Sequence, residues 1–210
     1  MLRTARFTLE GSAVGDVRRL CGKAEAAGIE VRHFVPGHDP FDPGQDDDGL
    51  LEQMRAVSNA WVRAHHGAER GFCMSRFDPQ RLRDVWLAVA WDPRTRRVEG
   101  FVTWIPVSTR DGWALDLMRR REDSVPGTME LLVVRSVEAA RERGDALLSL
   151  SLSALADVND TGPGGAPSVD AQAAARAARA REFLSRHLAR FYDFHGLFQW
   201  KKKFDPEFED

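Results

Sequence analysis

The chain has 210 residues, 30 Lys+Arg against 32 Asp+Glu and a formal net charge of −2, enough length for one domain with a sizeable core and no basic excess of the kind a dedicated nucleic-acid binder carries. Twelve Phe and six Trp exclude a wholly disordered chain, and no apolar run approaches the roughly 20 residues of a membrane span. Two cysteines, Cys21 and Cys73, make no disulfide framework, and no apolar signal segment follows Met1, so the expected setting is the cytoplasm. In chain order, Arg6 to Leu9 reads as a short strand. Gly15 to Ala27 reads as a helix with Val17, Leu20 and Ala24 at helical spacing, stopped by Gly28. Ile29 to Val35 alternates like a strand. Pro36 to Gly49 is rich in Pro, Gly and Asp and reads as a boundary. Leu50 to His65 is an amphipathic helix with Leu51, Met54, Val57, Ala60 and Trp61 on one face and the pair His65-His66 at its end.

The middle of the chain predicts a meander followed by a helix. Val85 to Trp91 is an apolar strand, Asp92 to Thr95 a turn, and Arg97 to Val107 the returning partner. Trp113 to Met118 is a third strand; simple alternation puts Asp116 and Met118 on one face and Leu115 and Leu117 on the other. Thr128 to Arg143 is a second strong helix ended by Gly144, and Ala146 to Leu152 another strand. Val158 to Ala180 is of low complexity, first Gly/Pro and then Ala/Arg. Arg181 to Tyr192 reads as an amphipathic helix, Gly196 breaks the chain, and Leu197 to Phe204 reads as a last strand carrying three lysines. This order predicts an α/β (α+β) fold, a mixed and mostly antiparallel sheet with helices on both faces, on the general plan of the GCN5-related N-acetyltransferase (GNAT) fold.

No P-loop, dinucleotide fingerprint, nucleophile elbow or zinc-ligand spacing is present. Where an acetyl-CoA enzyme of the GNAT plan has its Gly-rich pyrophosphate loop, this chain has Asp123-Ser124-Val125-Pro126-Gly127-Thr128, with a single glycine. Three segments stand out physically. Gly71 to Asp78 sets Arg76 between aromatics before a strand. Ala114 to Arg119 sets a carboxylate, Asp116, within a strand and a guanidinium, Arg119, at its end; a charge there is costly unless paired or functional. A salt bridge between the two is one reading and a functional pair the other. In Phe191 to Pro206, read as extended, Lys201 and Lys203 share a face, a pairing best tolerated around an anion.

The series Gly71 to Asp78, Asp116-Leu-Met-Arg-Arg-Arg, Pro126-Gly-Thr-Met-Glu, Phe191-Tyr-Asp-Phe-His-Gly-Leu and Trp200-Lys-Lys-Lys-Phe-Asp-Pro-Glu-Phe resembles the C-terminal cytosolic domain of the phosphatidylglycerol lysyltransferases, also called multiple peptide resistance factors or aminoacyl-phosphatidylglycerol synthases. The resemblance runs in register from about Phe7 to the end. By position, Asp116 and Arg119 match the family's Asp-x-x-Arg motif and Lys201 and Lys203 its Lys-x-Lys motif. Arg76 falls at its Arg-Phe-Asp element. Tyr192 falls in its Tyr-Asn-Phe-like element, where this chain has Asp193.

The resemblance implies a catalytic set of Asp116, Arg119, Lys201 and Lys203, with Arg76, Tyr192 and Met118 contacting substrate. It implies transfer of an amino acid, lysine or alanine, from aminoacyl-tRNA to a headgroup hydroxyl of phosphatidylglycerol at the inner face of the cell membrane, with the tRNA as co-substrate and neither cofactor nor metal. It further implies a tandem of two GNAT-like halves. Residues 1–40 then correspond to the end of the first half, and residues 45–210 to the second, with a flexible insertion near 157–178. An upstream half or membrane region is the expected partner. The other readings are a GNAT-like acyltransferase with a different donor and acceptor, and a non-catalytic module binding lipid or protein.

Overall fold

The computed structural model describes residues 1–42, 44–64, 77–107, 110–150 and 194–207. The chain divides into two compact units, Met1–Ser151 with Lys203–Asp210, and Leu152–Lys202. The first unit is built as β1 (Leu2–Arg3), α1 (Gly15–Ala26), β2 (Glu30–His33), α2 (Asp48–Ala64), a 3-10 turn (Pro79–Asp84), β3 (Trp86–Asp92), β4 (Arg97–Pro106), β5 (Gly112–Arg120), α3 (Thr128–Arg143) and β6 (Leu147–Ser149). The described part of the second unit is α4 (Phe194–Lys202).

The six strands form one sheet in the order β1-β6-β5-β4-β3-β2. Every neighbouring pair is antiparallel except β5 and β6, which run parallel because α3 crosses between them. The mixed, mostly antiparallel sheet with helices on both faces is the class expected from the element order. Both edge strands, β1 and β2, come from the first 40 residues and join the same sheet as the later meander.

Burial explains the sequence pattern. Every residue of β3 is buried, as befits an inner strand covered on both sides, so it reads as a continuous apolar run. On one face Leu50, Met54 and Val57 of α2 pack with Leu87, Val89, Phe101 and Leu117 of the sheet. On the other, α3 lies against β3 and β4, and Trp104 Nε1 donates to Ser136 Oγ at 3.1 Å. Arg143, in the last turn of α3, lies over the rings of Trp86 and Trp113 at 4.6 and 4.9 Å. α1 packs on α3.

Two expected strands differ. Arg6 to Leu9 is not a strand: the amides of Arg6 and Phe7 both donate to Arg3 O, at 3.0 and 2.9 Å, closing a turn, and pairing with β6 falls to Leu2 and Arg3. Leu197 to Phe204 is not a strand either, since most of it lies in α4. Phe194, Leu197 and Phe198 stand at i, i+3 and i+4, a helical spacing, and Gly196 falls in the first turn rather than ending anything. The expected insertion near 157–178 and the helix over Arg181 to Tyr192 lie outside the described residues.

Gly127 ends the β5–α3 connection at a φ of 98°, and a Cβ built there would stand 2.0 Å from Leu20 O in α1. Gly144, which ends α3, also has a positive φ, of 86°, but nothing within 4 Å of its added Cβ. Gly127→Ala is therefore expected to prevent folding or cost several times more than Gly144→Ala, whose penalty is about 1 kcal/mol. Urea denaturation of the two variants checks the ranking.

Candidate active site

The site residues of β5 are placed by a bulge. Phe101 stands opposite Arg119 and Val102 opposite Met118, but the next pair is Trp104 with Leu115. Asp116 and Leu117 together therefore face the single residue Thr103. Thr103 stands opposite Leu87 in β3, and Leu87, Phe101 and Leu117 all belong to the core under α2. Its hydroxyl, in a residue only 2% exposed, accepts from Leu117 N at 2.9 Å and donates to Asp116 Oδ2 at 3.1 Å.

The bulge overturns the face assignment made by simple alternation. Leu115 stands in register with Trp104 on the α3 side, while Leu117 enters the α2 side. Met118, half-buried and opposite Val102, points away from Thr103 and is not beside Asp116. Asp116 and Arg119 are three residues apart, which in a regular strand means opposite faces. The extra residue brings both to the α2 face. The Asp116 carboxylate is held by Thr103, so a salt bridge to Arg119 is not what fixes it. Among the described residues the parallel ladder with β6 ends at Ala114↔Ser149, and Asp116 stands two residues beyond it.

Arg119 is 1% exposed. Its guanidinium carbon lies 4.0 Å from the centre of the Trp61 ring on α2, and its NH1 donates to Met118 O at 3.0 Å. Stacking on an indole face suits a planar cation in a dry setting better than it would an ammonium. Trp61 was legible as an α2 core-face residue, but its partner was not.

The lysines do not share a face. Lys201 lies in α4 and Lys203 just beyond it, and two residues of helical advance turn a side chain by about 200°. Lys201 is 6% exposed, and burial pushes its ammonium down to about 8. Lys203 Nζ lies 3.9 Å from Oε1 of Glu130, a buried carboxylate in the first turn of α3 that closes the Pro126-Gly-Thr-Met-Glu motif but was given no role from the sequence. Arg76 and Tyr192 lie outside the described residues, as do Cys73 and His65-His66. Of the aromatic segment before β3, Phe77 packs on Phe101 at 5.1 Å and Asp78 Oδ1 accepts from Gln80 N at 3.0 Å.

The connection from β5 to α3 carries a single glycine and an aspartate bound by a β4 arginine. Arg97 NH1 binds Asp123 Oδ2 at 3.0 Å and its Nε binds buried Glu99 at 2.7 Å, so the place is occupied by an internal ion-pair network, which holds the Asp123 carboxyl below its usual range. Its one glycine serves the contact with α1. Burial pushes the Cys21 thiol up to about 12, so it is no thiolate nucleophile. Among the described residues no cluster of His, Cys, Asp and Glu could hold a metal ion, and no helix is long and apolar enough to cross a membrane.

Among the described residues, a mixed sheet with a single parallel crossover and helices on both faces defines a GNAT-like α/β domain, and its β5 carries a half-buried carboxylate and a buried guanidinium on one face. The chain belongs to the family described as phosphatidylglycerol lysyltransferase, C-terminal, whose model matches residues 1–210. It is 29% identical over 168 residues to the lysylphosphatidylglycerol biosynthesis bifunctional protein LysX of Gordonia bronchialis, covering 78% of this chain and 14% of that protein. To the LysX of Mycobacterium marinum it is 28% identical over 211 residues, covering 99% of this chain and 17% of the relative. The chain thus spans less than a fifth of the length of these relatives. The fold is shared with the C-terminal domain of a putative lysylphosphatidylglycerol synthetase from Agrobacterium fabrum, with a TM-score of 0.66, 22% identity and coverage of 99% of this chain and 56% of that one. It is also shared with L-PGS from Bacillus licheniformis, with a TM-score of 0.61, 20% identity and coverage of 77% and 48%.

The depressed Lys201 fixes a pH dependence. Below about 8 folded and unfolded chains both carry the ammonium, and folding must bury that charge. Between about 8 and the unfolded value of 10.5 the folded state binds fewer protons, so stability rises with pH. Thermal melts of the parent and Lys201→Met across this window are expected to show the parent gaining on the variant, by at most on the order of 3 kcal/mol.

Proposed function

We propose that this domain transfers an amino acid, lysine or alanine, from aminoacyl-tRNA to a headgroup hydroxyl of phosphatidylglycerol. The observation that carries the reading is the pairing of Asp116 and Arg119 on one face of β5 through the Thr103 bulge, in a chain of the phosphatidylglycerol lysyltransferase family. The names of the LysX relatives, which refer to lysylphosphatidylglycerol biosynthesis, support the lipid acceptor.

The reaction exchanges one ester for another. The lipid hydroxyl oxygen attacks the aminoacyl carbonyl and loses its proton. The carbonyl oxygen takes up negative charge, and the intermediate collapses as the tRNA ribose oxygen leaves and is protonated. No covalent enzyme intermediate is needed. Asp116 offers a fixed anion for the donor's α-ammonium or for the proton in transit. Arg119, clamped by Trp61, offers a permanent cation to the developing oxyanion or to a phosphate. Lys201, with its ammonium lowered to about 8, has the acidity of a group that can exchange a proton near neutral pH. Lys203, Arg76 and Tyr192 are assigned by resemblance, as phosphate or substrate contacts, whereas Met118, opposite Val102, faces away from the Asp116 side. An acyl-CoA donor has less support, because Arg97 and Asp123 bind each other where a pyrophosphate would lie.

Activity at the membrane surface, and dependence on an upstream half or membrane region, belong to the same proposal. The test mixes the purified chain, alone and joined to its upstream region, with radiolabelled lysyl-tRNA or alanyl-tRNA and phosphatidylglycerol micelles. Label is expected in the lipid, reduced by about 10²-fold or more in Asp116→Ala at unchanged thermal stability. Wild-type transfer by Asp116→Ala would remove Asp116 from the mechanism, and no label from either form would overturn the transfer reading.

A further inference from the structure

We infer that Thr103 is a positioning residue of this site, orienting Asp116 as the acceptor for the aminoacyl donor's free α-ammonium. The inference rests on the transfer reading above and narrows it. A threonine hydroxyl has one proton to give. Leu117 N donates to Thr103 Oγ1 at 2.9 Å, so the hydroxyl acts there as an acceptor, and its single proton points at Asp116 Oδ2, 3.1 Å away. Asp116 is therefore held as an acceptor. Its second oxygen, Oδ1, has no hydrogen bond among the described residues and keeps its lone pairs for a donor from outside.

The arrangement is built rather than incidental. The bulge takes the Leu117 amide out of the ladder with β4, and a buried amide left without an acceptor is costly. Thr103, 2% exposed in an otherwise apolar stretch of β4, satisfies that amide and the carboxylate at once. A hydroxyl is the smallest group able to do both. What a fixed, half-buried carboxylate recognises best is a compact cation with several N–H donors, and a free α-ammonium supplies three. An N-acylated donor has lost that charge. The site should then select donors by their free amine, and Thr103 should govern the selection through KM.

The experiment compares aminoacyl-tRNA with its N-acetylated form as donors for the parent, Thr103→Val, Thr103→Cys and Thr103→Ser, in the form of the protein that supports transfer. The parent is expected to prefer the free amine by about ten- to a hundredfold in kcat/KM. Thr103→Val should lose most of that preference through a raised KM for the free-amine donor, leaving the N-acetylated donor's constants within about twofold. Thr103→Ser keeps the hydroxyl and should keep the preference, although it deletes a buried methyl group. If Thr103→Val does not fold, Thr103→Cys, a weak donor of similar size, should show the same loss. Equal use of both donors by the parent would overturn the inference. So would a Val or Cys variant that slows both donors by the same factor, the mark of a purely structural role. No transfer by the parent from either donor would overturn the transfer reading itself, and this inference with it.

Discussion

One extra residue in β5, held by a single hydroxyl, sets the rest of the site. A regular strand would send Asp116 and Arg119 to opposite faces and bury the wrong leucine under α2. The bulge adds a residue between them, so the carboxylate and the guanidinium reach the same side. Leu117 joins the core with Phe101, and Arg119 meets Trp61. Thr103 makes the irregularity affordable, because it gives the displaced Leu117 amide an acceptor in a place water does not reach.

The two helical layers then have distinct tasks. α2 covers the face that carries the charged pair, and its Trp61 holds the guanidinium flat, at 4.0 Å from ring centre to Arg119. α3 covers the other face, where Trp86, Trp104 and Trp113 gather, with Ser136 bonded to one indole and Arg143 lying over the other two. The connection into α3, which in an acetyl-CoA enzyme of this plan handles a pyrophosphate, is here a packing element. Gly127 lets the backbone pass Leu20, and Asp123 is held by Arg97. The ester exchange proposed above asks little of such a domain. It calls for fixed charges near a carbonyl, not for a nucleophile, and the described residues supply charges held by neutral partners.

Lys201 and Lys203 illustrate how a motif can be right in residue type and wrong in geometry. Read as extended, they form one anion-binding face. In the structure Lys201 is a buried helical residue with a weakened ammonium, and Lys203 lies beside Glu130. Each has its own environment, so each is open to separate test rather than serving as half of a clamp. The aromatic residues around them fit a strand or a helix equally well by propensity. The spacing of Phe194, Leu197 and Phe198 was the signal that favoured the helix, and Gly196 masked it.

Much of the frame was determined by the sequence alone. α3 runs over Thr128–Arg143 and is ended by Gly144, α1 stops just short of Gly28, and β3 to β5 follow from apolar runs broken by turn residues. These features are local, and local chemistry fixes them. The residue types of the site were also legible, since a carboxylate within an apolar strand is costly enough to demand a reason. Tertiary structure decided which residues meet. Only the register between β4 and β5 reveals that Asp116 and Arg119 share a face and that Thr103 serves them. Only the packing of α2 brings Trp61 onto Arg119. A bulge leaves no mark in a period-two pattern, because it is a relation between two strands, and a stacked guanidinium depends on partners far apart in the chain.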